Sequence, residues 1–155
     1  MGITATAGAK IYIGTTAAAA NIAAYEADTY VEIKEVQDLG EFGDEAAEIE
    51  VTAVGDARKR RLKGTRDAGL LNLVCYRDPL DAGQQALIAA EKTADAYNLK
   101  IVADDAPIGG TPTTFYMKVL AMSAKLSFSG PDDVTSITFA LAINSDILEE
   151  TAEAA

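Results

Sequence analysis

From Ile137 to Ile143 every second residue is large and apolar (Ile137, Phe139, Leu141, Ile143), while Ser136, Thr138, Ala140 and Ala142 stand between them. Such alternation places one set of side chains on each face of a β-strand, and it cannot keep one face of a helix apolar. The same period recurs along the chain. Thr29 to Val36 reads TYVEIKEV, with Val31 and Ile33 on one face and Tyr30, Glu32 and Lys34 on the other. Glu48 to Ala53 reads EIEVTA, which predicts Ile49, Val51 and Ala53 on a core face and Glu48 and Glu50 outward. Gly69 to Tyr76 reads as a well-covered strand, and Leu99 to Ala103 as a short one. The longest extended stretch is Thr113 to Phe128. Phe115, Met117 and Val119 share one parity there, and Leu120, Met122, Ala124, Leu126 and Phe128 share the other. A slip of faces between Val119 and Leu120 asks for a bulge. Gly130, Pro131 and Asp132 then supply a turn.

One segment departs from this period. Asp78 reads as an N-cap, Pro79 as the first helical residue, and Leu87, Ala90, Ala94 and Tyr97 recur at helical spacing. Asn98 follows as a helix-stop residue. A single helix over Pro79 to Tyr97 is therefore expected, flanking a mainly β fold of sandwich or barrel type. The 155 residues suit one domain. Gly14 to Tyr25 is Ala-rich and short of large apolar residues, equally compatible with a helix and an extended arm. Asp104 to Pro112 is expected to be a loop, and the acidic tail, residues 145–155, to fray.

Charge is segregated along the chain. Between Glu26 and Asp56 eleven acids face one cation, Lys34. Then Arg58, Lys59, Arg60, Arg61, Lys63 and Arg66 hold six of the thirteen cations within nine positions. The polar stretch Val54 to Asp67 reads as a long loop between two strands, and its cations favour contact with an acidic surface of another copy. The net charge of −11 opposes a role in gripping nucleic acid. Glu48 and Glu50 read as uncompensated carboxylates on the polar face of their strand, best tolerated beside water.

Candidate chemistry is sparse. The chain has no His and a single Cys, Cys75, which excludes Ser-His-Asp and Cys-His catalysis, Cys/His zinc sites and an intrachain disulfide. Asp104-Asp105 and Asp132-Asp133 lack a calcium-loop spacing, and no phosphate-loop motif occurs around Gly55, Gly64 and Gly69. No catalytic residue, metal or cofactor is assigned. No apolar run is long enough to span a membrane as a helix, and no secretory signal is expected.

The acidic stretch ending VQDLGEFG, the strand EIEVT, the basic RKRRLKGTRDAG, the strand LLNLVCY and the helix start DPLDAGQQAL come in a telling order. With TPTTFYMKV and the closing SFSGPDDVTSITFALAI, this order resembles the major tail tube proteins of long, non-contractile-tailed (lambda-like siphovirus) bacteriophages. The resemblance covers about Ala24 to Ile143. It implies a tail tube domain over residues 1–155, with an N-terminal arm (1–25) and a stacking loop (54–67). It also implies hexameric rings stacked into a hollow tube for genome delivery, with Glu48 and Glu50 the leading candidates for acids on the channel. The tube would be found in the virion tail after assembly in the host cytoplasm. Its partners would be further copies of the chain, then tail tip, terminator and tape measure proteins, with DNA passing through without specific binding. Two alternatives remain open: an inner tube protein of a contractile tail or secretion-type system, and a monomeric β-sandwich module whose basic loop binds an acidic ligand.

Overall fold

The computed structural model describes residues 3–154. Ten strands and two helices follow in the order β1 (Lys10–Ile13), α1 (Ile22–Glu26), β2 (Val31–Ile33), β3 (Val36–Asp38), β4 (Glu45–Val51), β5 (Arg60–Asp67), β6 (Leu70–Tyr76), α2 (Ala82–Glu91), β7 (Tyr97–Val102), β8 (Thr114–Ser127), β9 (Ser136–Ile143) and β10 (Leu148–Glu150). The main sheet is antiparallel with the order β2-β1-β7-β8-β9-β6-β3, and β10 pairs with β8. Its two ends, β2 and β3, are consecutive in sequence and separated only by Lys34 and Glu35. The sheet therefore curls round until its edges meet. Glu35 turns that corner with a φ of 59°, and its carbonyl accepts from the Tyr76 amide at 2.7 Å.

Closure explains the core. The inward side chains are Ile11, Ile13, Ile33, Leu71, Leu73, Cys75, Leu99, Ile101, Met117, Val119, Ala121, Ile137, Phe139, Leu141 and Ile143, drawn from one face of β1, β2, β6, β7, β8 and β9. The alternation read in β9 is the alternation observed, with Ile137, Phe139, Leu141 and Ile143 buried; β6, expected to be well covered, buries Leu71, Leu73 and Cys75 but leaves Leu70 and Tyr76 on an exposed face. α2 adds Leu87 and Ala90 and packs against β8, β2 and β1. The fold is mainly β, barrel-like and helix-flanked, as the alternation requires.

Several boundaries differ from expectation. α2 starts at Ala82 and is capped by Asp81, whose carboxylate accepts from the Gln84 amide; Asp78 instead closes a turn on the Leu80 amide. The helix ends at Glu91, because Tyr97 pairs with Val119 in β7 and Asn98 is buried there. The bulge in β8 falls between Ala121 and Ser123, not between Val119 and Leu120. Ala121 is small enough to continue the core row, and the larger Met122 is the residue pushed out, 59% exposed. The TYVEIKEV stretch is split by its corner into β2 and β3, and only Ile33 of its apolar pair is buried. The N-terminal segment is not a free arm. Lys10–Ile13 lies between β2 and β7, and Ile11 and Ile13 are in the core. The acidic tail does not fray either: Leu148, Glu149 and Glu150 pair with Tyr116, Phe115 and Thr114.

Candidate assembly surfaces

The basic stretch forms half of a β-hairpin that stands apart from the barrel. β4 and β5 make a separate two-stranded sheet, with Glu48 opposite Lys63, Ile49 opposite Leu62, Glu50 opposite Arg61 and Val51 opposite Arg60. The expected loop 54–67 is thus a strand over most of its length, and only residues 52–59 form the connection. β5 carries no apolar alternation, so its extended state follows from pairing with β4 and not from its own sequence. Nearly every residue of the hairpin is exposed. That overturns the reading of Ile49 and Val51 as core residues, since they are 47% and 39% exposed.

The charges expected to reach another copy are largely satisfied within the hairpin. Arg61 pairs with Glu48, Lys59 with Glu50 at 3.1 Å, Arg60 with Asp56 at 2.9 Å, and Arg66 with Asp44 at 2.9 Å. Glu48 and Glu50 are therefore not the uncompensated carboxylates that motivated a channel assignment. Each pair is solvent-exposed and holds the hairpin together only weakly, about 0–1 kcal/mol apiece. Among the described residues, Arg58 and Lys63 have no acid within ion-pair distance.

A second surface is a strand edge. On one side β8 pairs with β7 from Thr114 to Val119, where β7 ends at Tyr97. On its other side β10 and then β9 cover it, β9 from Val119 to Ser127. The β7 side of Leu120–Ser127 consequently has no partner strand among the described residues. An unpaired edge of this length is normally blunted or paired with another chain. The sequence signals the strand clearly, whereas the free edge depends on where β7 stops.

No catalytic constellation is formed by the residues singled out. Among the described residues no three His, Cys, Asp or Glu side chains stand close enough to share a metal ion. Cys75 is fully buried, and burial pushes its thiol up to about 12, with the Asp81 charge adding to the effect. Asp105 is occupied by Thr113, whose hydroxyl donates at 2.6 Å and amide at 2.8 Å. The grooves are open, and the one at the hairpin root is lined by Asp38, Glu41, Phe42, Asp44, Leu70 and Asn72. One polar network was invisible in the sequence. Buried Asn98 donates to Asp28 at 2.8 Å and to the Ala17 carbonyl at 3.1 Å, and accepts from Lys118 at 2.8 Å.

No family model matches the chain, and no curated protein matches it. Solved structures do. A chain of the cryo-EM structure of the anti-feeding prophage (AFP) baseplate superposes with a TM-score of 0.69 at 14% identity, covering 99% of this chain and 100% of that one. The SPP1 tail tube gives a TM-score of 0.64 at 17% identity, over 92% of this chain and 77% of the other. The chain shares the tail tube fold. The sheath/tube terminator structure of the extracellular contractile injection system PVC has it as well, with a TM-score of 0.63 at 12% identity over 96% and 97% of the two chains. At these identities the likeness is one of fold, spanning phage tails and contractile injection systems alike.

Proposed function

We propose that this chain is a structural tube subunit of a phage tail, with no catalytic role. Copies join edge to edge into hexameric rings, and the rings stack into a hollow tube that conducts the genome into the host. The observation that carries the reading is the β8 edge, Leu120–Ser127, the longest edge of the main sheet with no partner strand among the described residues. Pairing that edge with a neighbouring copy supplies the missing hydrogen bonds and generates a ring if the rotation closes. The β4–β5 hairpin, standing clear of the barrel, spans from one ring to the next. Terminator, tip and tape measure proteins are the partners at the tube's ends and inside it, and the location is the virion tail after assembly in the host cytoplasm. A net charge of −11 keeps a tube from holding phosphate.

A second reading, the inner tube of a contractile system, is favoured by the likeness to the AFP and PVC chains, each covered almost completely. Concentrating the purified chain and imaging it by negative-stain electron microscopy tests both. Six-fold rings or hollow tubes are expected, and a persistent monomer at high concentration rejects the tube reading. Co-expression with a sheath protein separates the two kinds of tail, because only an inner tube is decorated by it.

A further inference from the structure

The hairpin has two unlike faces. One bears Glu48, Glu50, Arg61 and Lys63, and the Arg61–Glu48 pair closes it on itself. The other bears Ile49 and Val51 opposite Leu62 and Arg60. Ile49 lies over Gly64, where a Cβ would stand 3.3 Å from Ile49 Cδ1. Leu62 at the centre of this face is 60% exposed. A two-stranded hairpin alone is marginal in water and is stabilised when its apolar face is covered.

Three further exposed apolar residues lie where β8 gives way to β9. Leu126, Phe128 and Val134 are 50%, 75% and 65% exposed. The hairpin and this patch sit at opposite ends of the same strands. The hairpin is rooted beside Leu70, which pairs with Ala142. The other end of β6, Tyr76, pairs with Ser136, and Ser136 pairs with Ser127 at the patch. Six residue steps along β6 separate the two ends, about 20 Å. Two complementary surfaces at opposite ends of one chain suit a head-to-tail contact between copies.

We propose that the Ile49–Val51–Leu62 face of one copy docks on the Leu126–Phe128–Val134 patch of the next. The proposal rests on the tube reading, in which the hairpin crosses between rings, and assigns the chemistry of that crossing as apolar. Charge fits the same pairing. Between Glu45 and Asp67 six cations face five acids, so the hairpin carries +1 within a chain of −11. Arg58, in the tip and without an ion-pair partner among the described residues, approaches the turn holding Asp132 and Asp133. Phe128 is the anchor, since exposed aromatics at the centre of an interface carry much of its energy.

The test uses two full-length variants, Ile49→Ser with Leu62→Ser, and Phe128→Ser with Val134→Ser. All four residues lie outside the core, so circular dichroism and melting should match the wild type. Each variant alone should need at least about 100-fold more protein to form tubes. Each retains one good surface, so an equimolar mixture should give a complex of twice the mass of the unstacked unit in size exclusion with light scattering. Tubes of normal length from either variant, or a mixture no heavier than its components, would overturn the docking. If the wild type forms tubes and the mixture fails, the docking falls and the tube reading stands. If the mixture pairs and the wild type forms neither rings nor tubes, the reverse holds. Should either variant melt early, the single changes Leu62→Thr and Phe128→Thr carry the same comparison.

Discussion

Asn98 is fully buried and every polar atom of its side chain is used, which makes it the residue on which the loop before α1 depends. Its amide donates to Asp28, and Asp28 also accepts from the hydroxyl and amide of Thr15 and from the Thr29 amide. Burial pushes the Asp28 carboxyl up, but these four hydrogen bonds outweigh it and hold the group below the usual aspartate range. Asn98→Ala would leave the Lys118 ammonium and the Ala17 carbonyl short of a partner. A loss of about 1–3 kcal/mol is expected, read from denaturant midpoints at pH 7. The sign of the pH effect follows from the lowered value. The stabilisation from Asp28 is fully present above the ordinary aspartate pKa and is lost as pH falls through its folded value. Asp28→Asn should therefore flatten the acid limb of the stability curve, and an unchanged limb would show that the network contributes nothing through that charge.

At the scale of the element, α2 lies close against the corner of the barrel. Gln84 donates to the Lys34 and Tyr76 carbonyls, and Asp81 accepts from the Lys34 amide, so the helix start is tied to the turn between β2 and β3. Gly83 allows the approach: a Cβ there would overlap the Glu32 carbonyl oxygen and stand 2.6 Å from Ile33 Cα. Gly83→Ala gains helix propensity but forces α2 off β2. A net loss of about 1–3 kcal/mol is expected from thermal melts, and a more stable variant would mean the contact is loose. β9 is legible in the sequence because its apolar period alone decides which face is inside, whereas β6 shows as a strand but not which face is covered, since Leu70, Val74 and Tyr76 are apolar on its exposed side. The start of α2 is not legible, since both Asp78 and Asp81 precede helix formers and only the packing of Gly83 and Gln84 on β2 chooses between them. β1 and β10, four and three residues long, carry too little pattern to distinguish from loop. β5 reads as a charged loop because half of its partnership is supplied by β4. Charge marks the hairpin out in the sequence, but which acids its cations meet within the chain depends on the β4–β5 register, which the sequence does not display.

The whole molecule is a curled sheet whose ends are joined by the β2–β3 corner, and its longest edge without a partner strand among the described residues is Leu120–Ser127 of β8. In an antiparallel strand the amides point alternately to the two sides. Along Leu120–Ser127 one set of amides therefore faces β9 and the other faces no strand among the described residues. Hydrogen exchange reads these sets separately. In the free subunit the β9-facing amides should exchange slowly and the opposite set close to the rate of open chain, since nothing on that side protects them. If rings form by strand addition at this edge, the fast set should slow by on the order of 100-fold on assembly while Ile137–Leu141, already paired with β6 and β8, changes little. The hairpin tip, residues 52–59, provides the second contrast. Stacking without strand addition would slow the tip and leave the β8 edge fast. An edge that stays fast in rings seen by microscopy would place the contact between neighbours within a ring on some other surface. Coincident slowing of the β8 edge at the concentration where rings appear would assign it.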